Sequence, residues 1–444
     1  MAWFLMILLF TVSVTTVSAQ PQAAAEPALA KALGEHLSYD SGFRQKLRTG
    51  TYRQTQQASP EEGARLFPQL IERLGELSDQ QPTFMLVHAI DANGHLRAWL
   101  LGKDGLVASG QTSAAFKGLG SLLDNLGVNA RTSTRAPRRR NAPPPVPVED
   151  VSTPETRRQA LEFAAGTLLP QGIASALAER NGRLLVLPVR DTGTAPFAAL
   201  PLAGAVLNDR FSVVVLPDVT LALGNERTLH VRRLRFNTTV LVADPDLSRD
   251  AEFEWGPIPE TRTETLAVAE QFGIDKARIL SGDKASRDAV IGAIAGYGKA
   301  DIVYLASHGL ANSTNPMDGS FIALTGGHLY GRDLRGSRFD AWAGHHPLVV
   351  LSACQTGLGK TFDGGTFGVA RAWFAAGAAQ VVASLWNVDD QATAYLMEQF
   401  AEKLYFGATP EEAMQMAQRR AAAEYPDDPG AWASFSVYGA PATR

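Results

Sequence analysis

From about residue 155 onward the chain alternates short apolar runs with helix-like stretches, and this pattern leaves few architectures open. The runs are Leu184–Val189, Val213–Leu216, Thr239–Ala243, Ile302–Ala306, Leu348–Leu351 and Gln380–Leu385. Apolarity that is continuous, not alternating, marks strands covered on both faces. The intervening stretches, such as Glu260–Phe272 and Ser286–Ala295, supply the crossovers that parallel strands require. The expected fold class is therefore α/β, a mostly parallel central sheet flanked by helices. Two more helices follow over Asp389–Leu404 and Pro410–Ala423, the first with Ala392, Tyr395, Leu396 and Phe400 on one face.

The N-terminal part reads differently. Leu29, Leu33 and Leu37, then Leu66, Leu70, Ile71 and Leu74, recur at helical spacing and predict a short helical region over 20–80. The β-rich runs Thr83–Ile90 and Leu96–Leu101 flank Asp91-Ala92-Asn93-Gly94-His95, the signature of a hairpin. Residues 129–150 hold Arg138-Arg139-Arg140 and Pro143-Pro144-Pro145, a basic, proline-rich linker without interleaved aromatics. Ahead of all this, Met1–Val17 is apolar or small and Val17-Ser18-Ala19 resembles a cleavage site, although no Lys or Arg precedes Trp3. The stretch is short for a membrane span, so a signal peptide over 1–19 and an exported protein, periplasmic or secreted, are expected. An uncleaved N-terminal anchor is the alternative, and the only route to a membrane partner.

A net charge of −4 argues against nucleic acid or an anionic surface as partner. With 45% apolar residues in 444, the chain can build its core without metal or disulfide staples. It has one cysteine, Cys354. A lone thiol is most often a small buried hydrophobe, so its surroundings must argue for anything more.

They do. Asp301-Ile302-Val303-Tyr304-Leu305-Ala306 runs into Ser307-His308-Gly309, and Pro347-Leu348-Val349-Val350-Leu351 runs into Ser352-Ala353-Cys354-Gln355-Thr356-Gly357. Sites in parallel sheets form at strand carboxyl ends, so neighbouring strands would bring an imidazole beside the thiol it must deprotonate. The N–H groups of Gly309 and Cys354 would then face the oxyanion that develops. The histidine precedes the cysteine by 354 − 308 = 46 residues.

These two blocks resemble the signature segments of the CHAT domain, a family of caspase-like proteins often fused to TPR repeats. Further likeness lies in Pro196-Phe197-Ala198-Ala199-Leu200-Pro201, in Gly368-Val369-Ala370-Arg371-Ala372 and in Ala383-Ser384-Leu385-Trp386-Asn387-Val388-Asp389-Asp390. The resemblance runs from about Thr83 to Gly439 and implies the caspase–hemoglobinase fold with a Cys354/His308 dyad. It also implies the domain plan: hairpin and helix over 81–128, the linker as an insertion, and a catalytic core over 151–444. By analogy with relatives, Asp389 or Asp390 would line a pocket for Arg or Lys; both also suit the start of the following helix. No cofactor and no metal is implied. The partners implied are a protein or peptide substrate and an activating protein.

Other readings compete. A caspase-like scaffold that binds proteins without turnover would need neither reactive residue. Cys354-Gln355-Thr356-Gly357-Leu358-Gly359-Lys360-Thr361 nearly spells a phosphate-binding loop, with cysteine where glycine belongs and no helix directly after it. His345-His346, read as extended chain, point apart, and His88, His95, His230 and His328 are isolated, so none has metal-ligand spacing. If the pocket prefers basic residues, Arg138-Arg139-Arg140 is a natural self-cleavage site.

Overall fold

The computed structural model describes residues 26–49, 59–126, 138–141, 152–224, 228–295, 300–312, 315–334, 339, 342, 344–353, 356–357, 359–363, 365–386 and 390–444. The expected signal segment and most of the proline-rich linker lie outside them.

One sheet of eleven strands organises the described residues. In chain order they are β1 (Thr83–Ile90), β2 (His95–Gly102), β3 (Gly105–Ala115), β4 (Gly182–Leu187), β5 (Phe211–Val215) and β6 (Val240–Pro245). β7 (Leu280–Gly282), β8 (Ile302–Ala306), β9 (Leu348–Ser352), β10 (Gln380–Ser384) and β11 (Phe435–Gly439) complete it. Their spatial order is β7-β6-β8-β9-β10-β11-β5-β4-β1-β2-β3. The sheet is mostly parallel and lies between helices, as the apolar runs predict. Every residue of β4, β8, β9 and β10 is buried, which is what strands covered on both faces require.

The direction reverses once in mid-sheet. β7, β6, β8, β9 and β10 pair in parallel, β10 and β11 pair antiparallel, and β11, β5, β4 and β1 again pair in parallel. The sheet is thus two parallel halves running in opposite senses, with β2 and β3 added antiparallel at one edge. β1 and β2 are the expected hairpin, and through β4 the hairpin is an integral part of the sheet.

Alternation sorts the second half between two cores. Leu86, Leu184, Val186 and Val215 face the large core, while Met85, Val87, Leu185, Leu187 and Val214 face a smaller one roofed by the helices Pro27–Thr49 and Pro60–Ser78. Helix starts follow capping rules: Ser59 caps Pro60–Ser78, while Thr153 and Thr409 each form a capping box directly ahead of a proline. Between the halves, Arg183 of β4 meets Glu411 at 3.0 Å with both side chains almost fully buried. Removing either partner would strand a charge in the core, at a cost of about 3–5 kcal/mol.

Candidate active site

β8 and β9 are adjacent and parallel, and their register sets the site. Ile302 pairs with Leu348 and so on to Ala306 with Ser352, an offset of 46 residues throughout. The Ser307 amide continues the ladder, donating to the Ser352 carbonyl at 3.3 Å. His308 follows, two residues past the end of β8. Cys354 lies outside the described residues, and so does Asp389. Asp390 is the first residue of the helix Asp390–Tyr405.

The chain on either side of Cys354 is firmly anchored. Ser384, at the end of β10, donates its hydroxyl to the Ala353 carbonyl at 2.6 Å. Thr356 donates to the Ala353 carbonyl at 3.2 Å and accepts from the Ser384 amide at 3.1 Å. The Gly357 amide donates to the Ser384 carbonyl at 2.8 Å. A β-carbon at Gly357 would come within 2.9 Å of that oxygen, so glycine here serves close packing against β10, not loop freedom.

His308 is 7% exposed. Its Nε2 lies 2.8 Å from the carbonyl of Gly256. A carbonyl can only accept, so this bond fixes the proton on Nε2 and leaves the lone pair on Nδ1. The indole of Trp255 covers one face of the ring, with centroids 4.9 Å apart and planes inclined by 32°. Trp255 is held in turn, its Nε1 donating to Asp250 Oδ2 at 2.6 Å. The other oxygen of Asp250 accepts from the amides of Glu252 at 2.8 Å and Phe253 at 3.0 Å. Burial alone would raise this carboxyl, but those bonds and nearby His328 outweigh it and hold Asp250 below the usual range. His328 is pushed below its ordinary value by burial, against the pull of Asp250, and stacks on Phe321 with ring centroids 4.0 Å apart. The loop after β6 thus forms an aromatic and carboxylate buttress behind the imidazole.

Gly309 begins the two-residue strand Gly309–Leu310, antiparallel to Phe321–Leu324. The Ala323 amide donates to the His308 carbonyl at 2.9 Å, which makes 308 and 323 the hydrogen-bonded pair. By alternation Gly309 and Ile322 form the next, non-bonded pair, so the Gly309 N–H points away from that ladder. A small recess of about 30 Å³ opens beside Gly357; Pro188, Thr194, Arg371 and Tyr438 are among its lining residues.

Two further sequence readings meet the structure here. Gly359-Lys360-Thr361 belongs to the strand Gly359–Phe362, paired with Gly365–Gly368, so the phosphate-loop likeness has a hairpin where a helix start is needed. His345-His346 is not extended, since His346 has φ of +43°. His345 lies 2.8 Å from Asp301 and His346 2.9 Å from the Gly377 carbonyl. Trp255, Gly256 and Asp250 were not legible in the sequence. They act through a backbone carbonyl and a ring face some 50 residues upstream, and the one hint was two aromatics, Phe253 and Trp255, in an otherwise polar loop.

A family model described as CHAT domain matches residues 158–440. Tetratricopeptide repeat protein 28 of Mus musculus is 25% identical over 306 residues, and its Homo sapiens counterpart 24% over 306 residues. Each match takes in 59% of this chain but only 12% of the relative's length. Among solved structures, the Saccharomyces cerevisiae separase–securin complex superposes with a TM-score of 0.55 at 10% identity, covering 89% of this chain and 32% of that one. The Arg-specific cysteine proteinase gingipain R (RgpB) gives 0.38 at 12%, covering 63% of this chain and 69% of that one. The fold is that of caspase-like cysteine peptidases.

Proposed function

Because this chain belongs to the CHAT domain family, we propose that it is a cysteine endopeptidase in which Cys354 and His308 form the catalytic pair. The observation that carries the reading is the β8–β9 register: its offset of 46 residues equals the sequence separation of His308 and Cys354, which supports reading the two as partners at neighbouring strand ends.

The chemistry follows from the tautomer. With Nε2–H committed to Gly256, Nδ1 takes the thiol proton of Cys354. The thiolate attacks the substrate carbonyl carbon, and the N–H groups of Gly309 and Cys354 steady the tetrahedral oxyanion. Collapse breaks the peptide C–N bond. The leaving amine takes the proton from the imidazolium, and a thioester remains. Water, deprotonated by Nδ1, then hydrolyses the thioester and returns the thiol. Gly256 acts as the orienting acceptor that a third catalytic side chain supplies in other hydrolases, and Trp255 shields the ring from bulk water.

Substrates are proteins or peptides, with Arg or Lys before the scissile bond drawn by Asp389 or Asp390. The superposed separase is complexed with securin, and that likeness supports a protein partner for this chain as well, here one that activates it. The N-terminal segment directs export, which sequencing of the mature N-terminus tests.

The decisive experiment is labelling by a peptidyl electrophile. Cys354 in the wild type is expected to react far faster than free cysteine, and His308→Ala to remove that advantage. Equal rates would leave the scaffold reading in its place. A peptide-library profile led by Arg or Lys supports the acidic pair; one led by Asp or Glu moves the specificity pocket to the recess containing Arg371.

A further inference from the structure

Of the proline-rich linker, residues Arg138–Asn141 are described, and they lie against the loop that buttresses His308. Arg138–Arg139 forms a two-residue strand antiparallel to Phe253–Glu254, with Arg139 opposite Phe253 and Arg138 opposite Glu254. The Arg140 amide donates to the Glu252 carbonyl at 3.0 Å. The Arg140 side chain reaches further, with Nε donating to the Asp250 carbonyl at 2.7 Å and Nη2 to that of Ser248 at 3.4 Å. Carboxylates flank the ribbon: Arg139 stands 3.2 Å from Glu252, and Arg138 stands 3.7 Å from Glu254. The Arg139 guanidinium also lies 5.6 Å from the Phe253 ring centroid.

The strap therefore grips the stretch that runs Ser248, Asp250, Glu252, Phe253, Glu254 and then Trp255-Gly256. The last two are the residues that cover and orient His308. The Asp250 carboxylate holds Trp255, while its carbonyl is held by Arg140, so the buttress is fixed from both sides. The grip is built from exposed ion pairs, individually weak, and from a two-rung ladder; such elements occupy the easily opened end of a protein's local stabilities.

Resting on the peptidase reading above, we infer that Arg138–Arg140 is a detachable strap that positions His308: seated, it keeps Trp255 and Gly256 on the ring; lifted or cut, it releases them and slows the thiol chemistry. Its role is positional, since none of the three arginines touches the imidazole. A basic extended segment of another protein would compete for the same acidic edge, and cleavage at the triple arginine would switch the site down.

The test uses the full chain, whose sole cysteine makes iodoacetamide alkylation specific to Cys354. Rates are followed across the neutral pH range, with thermal midpoints alongside, for wild type, Arg140→Ala, the pair Arg138→Glu/Arg139→Glu, the pair Glu252→Arg/Glu254→Arg, and the fourfold charge swap. Arg140→Ala and each pair are expected to slow alkylation at neutral pH about tenfold and to move the pH profile toward that of His308→Gln. The fourfold swap is expected to recover most of the rate. If the wild type is fast and its profile superposes on those of the arginine variants, the strap does not position His308. If the swap fails to recover the rate although its thermal midpoint is restored, charge pairing is not the device, and the inference falls equally. A wild-type thiol no faster than free cysteine, and indifferent to His308→Gln, overturns the peptidase reading and the strap with it.

Discussion

His88 and His308 lie in opposite halves of one sheet and share a device: each Nε2 donates to a backbone carbonyl, His88 to Leu168 at 2.9 Å and His308 to Gly256 at 2.8 Å. Their settings differ in one respect. His88 sits within β1, wholly buried, its own carbonyl taken by His36 Nε2 at 2.8 Å and its Nδ1 without a hydrogen-bond partner among the described residues. His308 comes two residues past the carboxyl end of β8, directly before the short strand Gly309–Leu310 and outside the main sheet. Fixing a tautomer is thus equally good for packing and for chemistry. Position along the strand decides which, because a lone pair in mid-sheet meets only protein.

The comparison can be broken at several points. The largest effect is expected from His308→Gln, which should lower peptide hydrolysis at least about 1,000-fold while leaving the melting curve little changed. His88→Gln should do the reverse, keeping activity per folded molecule and losing stability; the same activity loss in both would erase the distinction. Second is acid sensitivity. Burial pushes His36 and His88 down to about 4, so in the folded state both stay neutral while the unfolded chain takes up protons below about 6.5. Their contribution is complete above the unfolded value and is lost as pH falls from there toward 4, on the order of 3 kcal/mol per ring. Denaturant titrations at several pH values should show this slope, and His36→Gln/His88→Gln should flatten it.

Smaller effects sharpen the His308 side. Trp255→Leu removes the ring cover and the Asp250 bond, and should slow Cys354 alkylation about 10- to 100-fold at neutral pH with little change in overall stability. An unchanged rate would make the indole mere packing. Smallest is Ser384→Ala, which deletes the 2.6 Å bond to the Ala353 carbonyl and should cost about 1 kcal/mol in a chemical melt.

The legibility of each part follows from its range. β8 and β9, each a single buried run followed two residues later in the sequence by the candidate histidine or cysteine, are written in contiguous residues, and their adjacency needs only the rule that sequential strands of such sheets neighbour one another. The hairpin was legible for the same reason, its turn at Asp91–Gly94 lying between two β-rich runs. The direction reversal at β10–β11 was not. It joins strands of which one lies some 50 residues beyond the other, and no composition distinguishes a parallel from an antiparallel neighbour in a fully covered strand. Nor was the buttress, since the acceptor on His308 is a carbonyl, a group that every residue carries.

The α/β class, the buried strands β8 and β9, and the choice of His308 and Cys354 as the candidate pair follow from the sequence, because these depend on local apolar patterning and residue chemistry. Only the tertiary structure decided the opposed halves of the sheet, the Trp255 and Gly256 hold on His308, and the docking of Arg138–Arg140 on the loop behind it. Those are contacts between distant segments, set by how whole surfaces pack and not by the residues next to them in the chain.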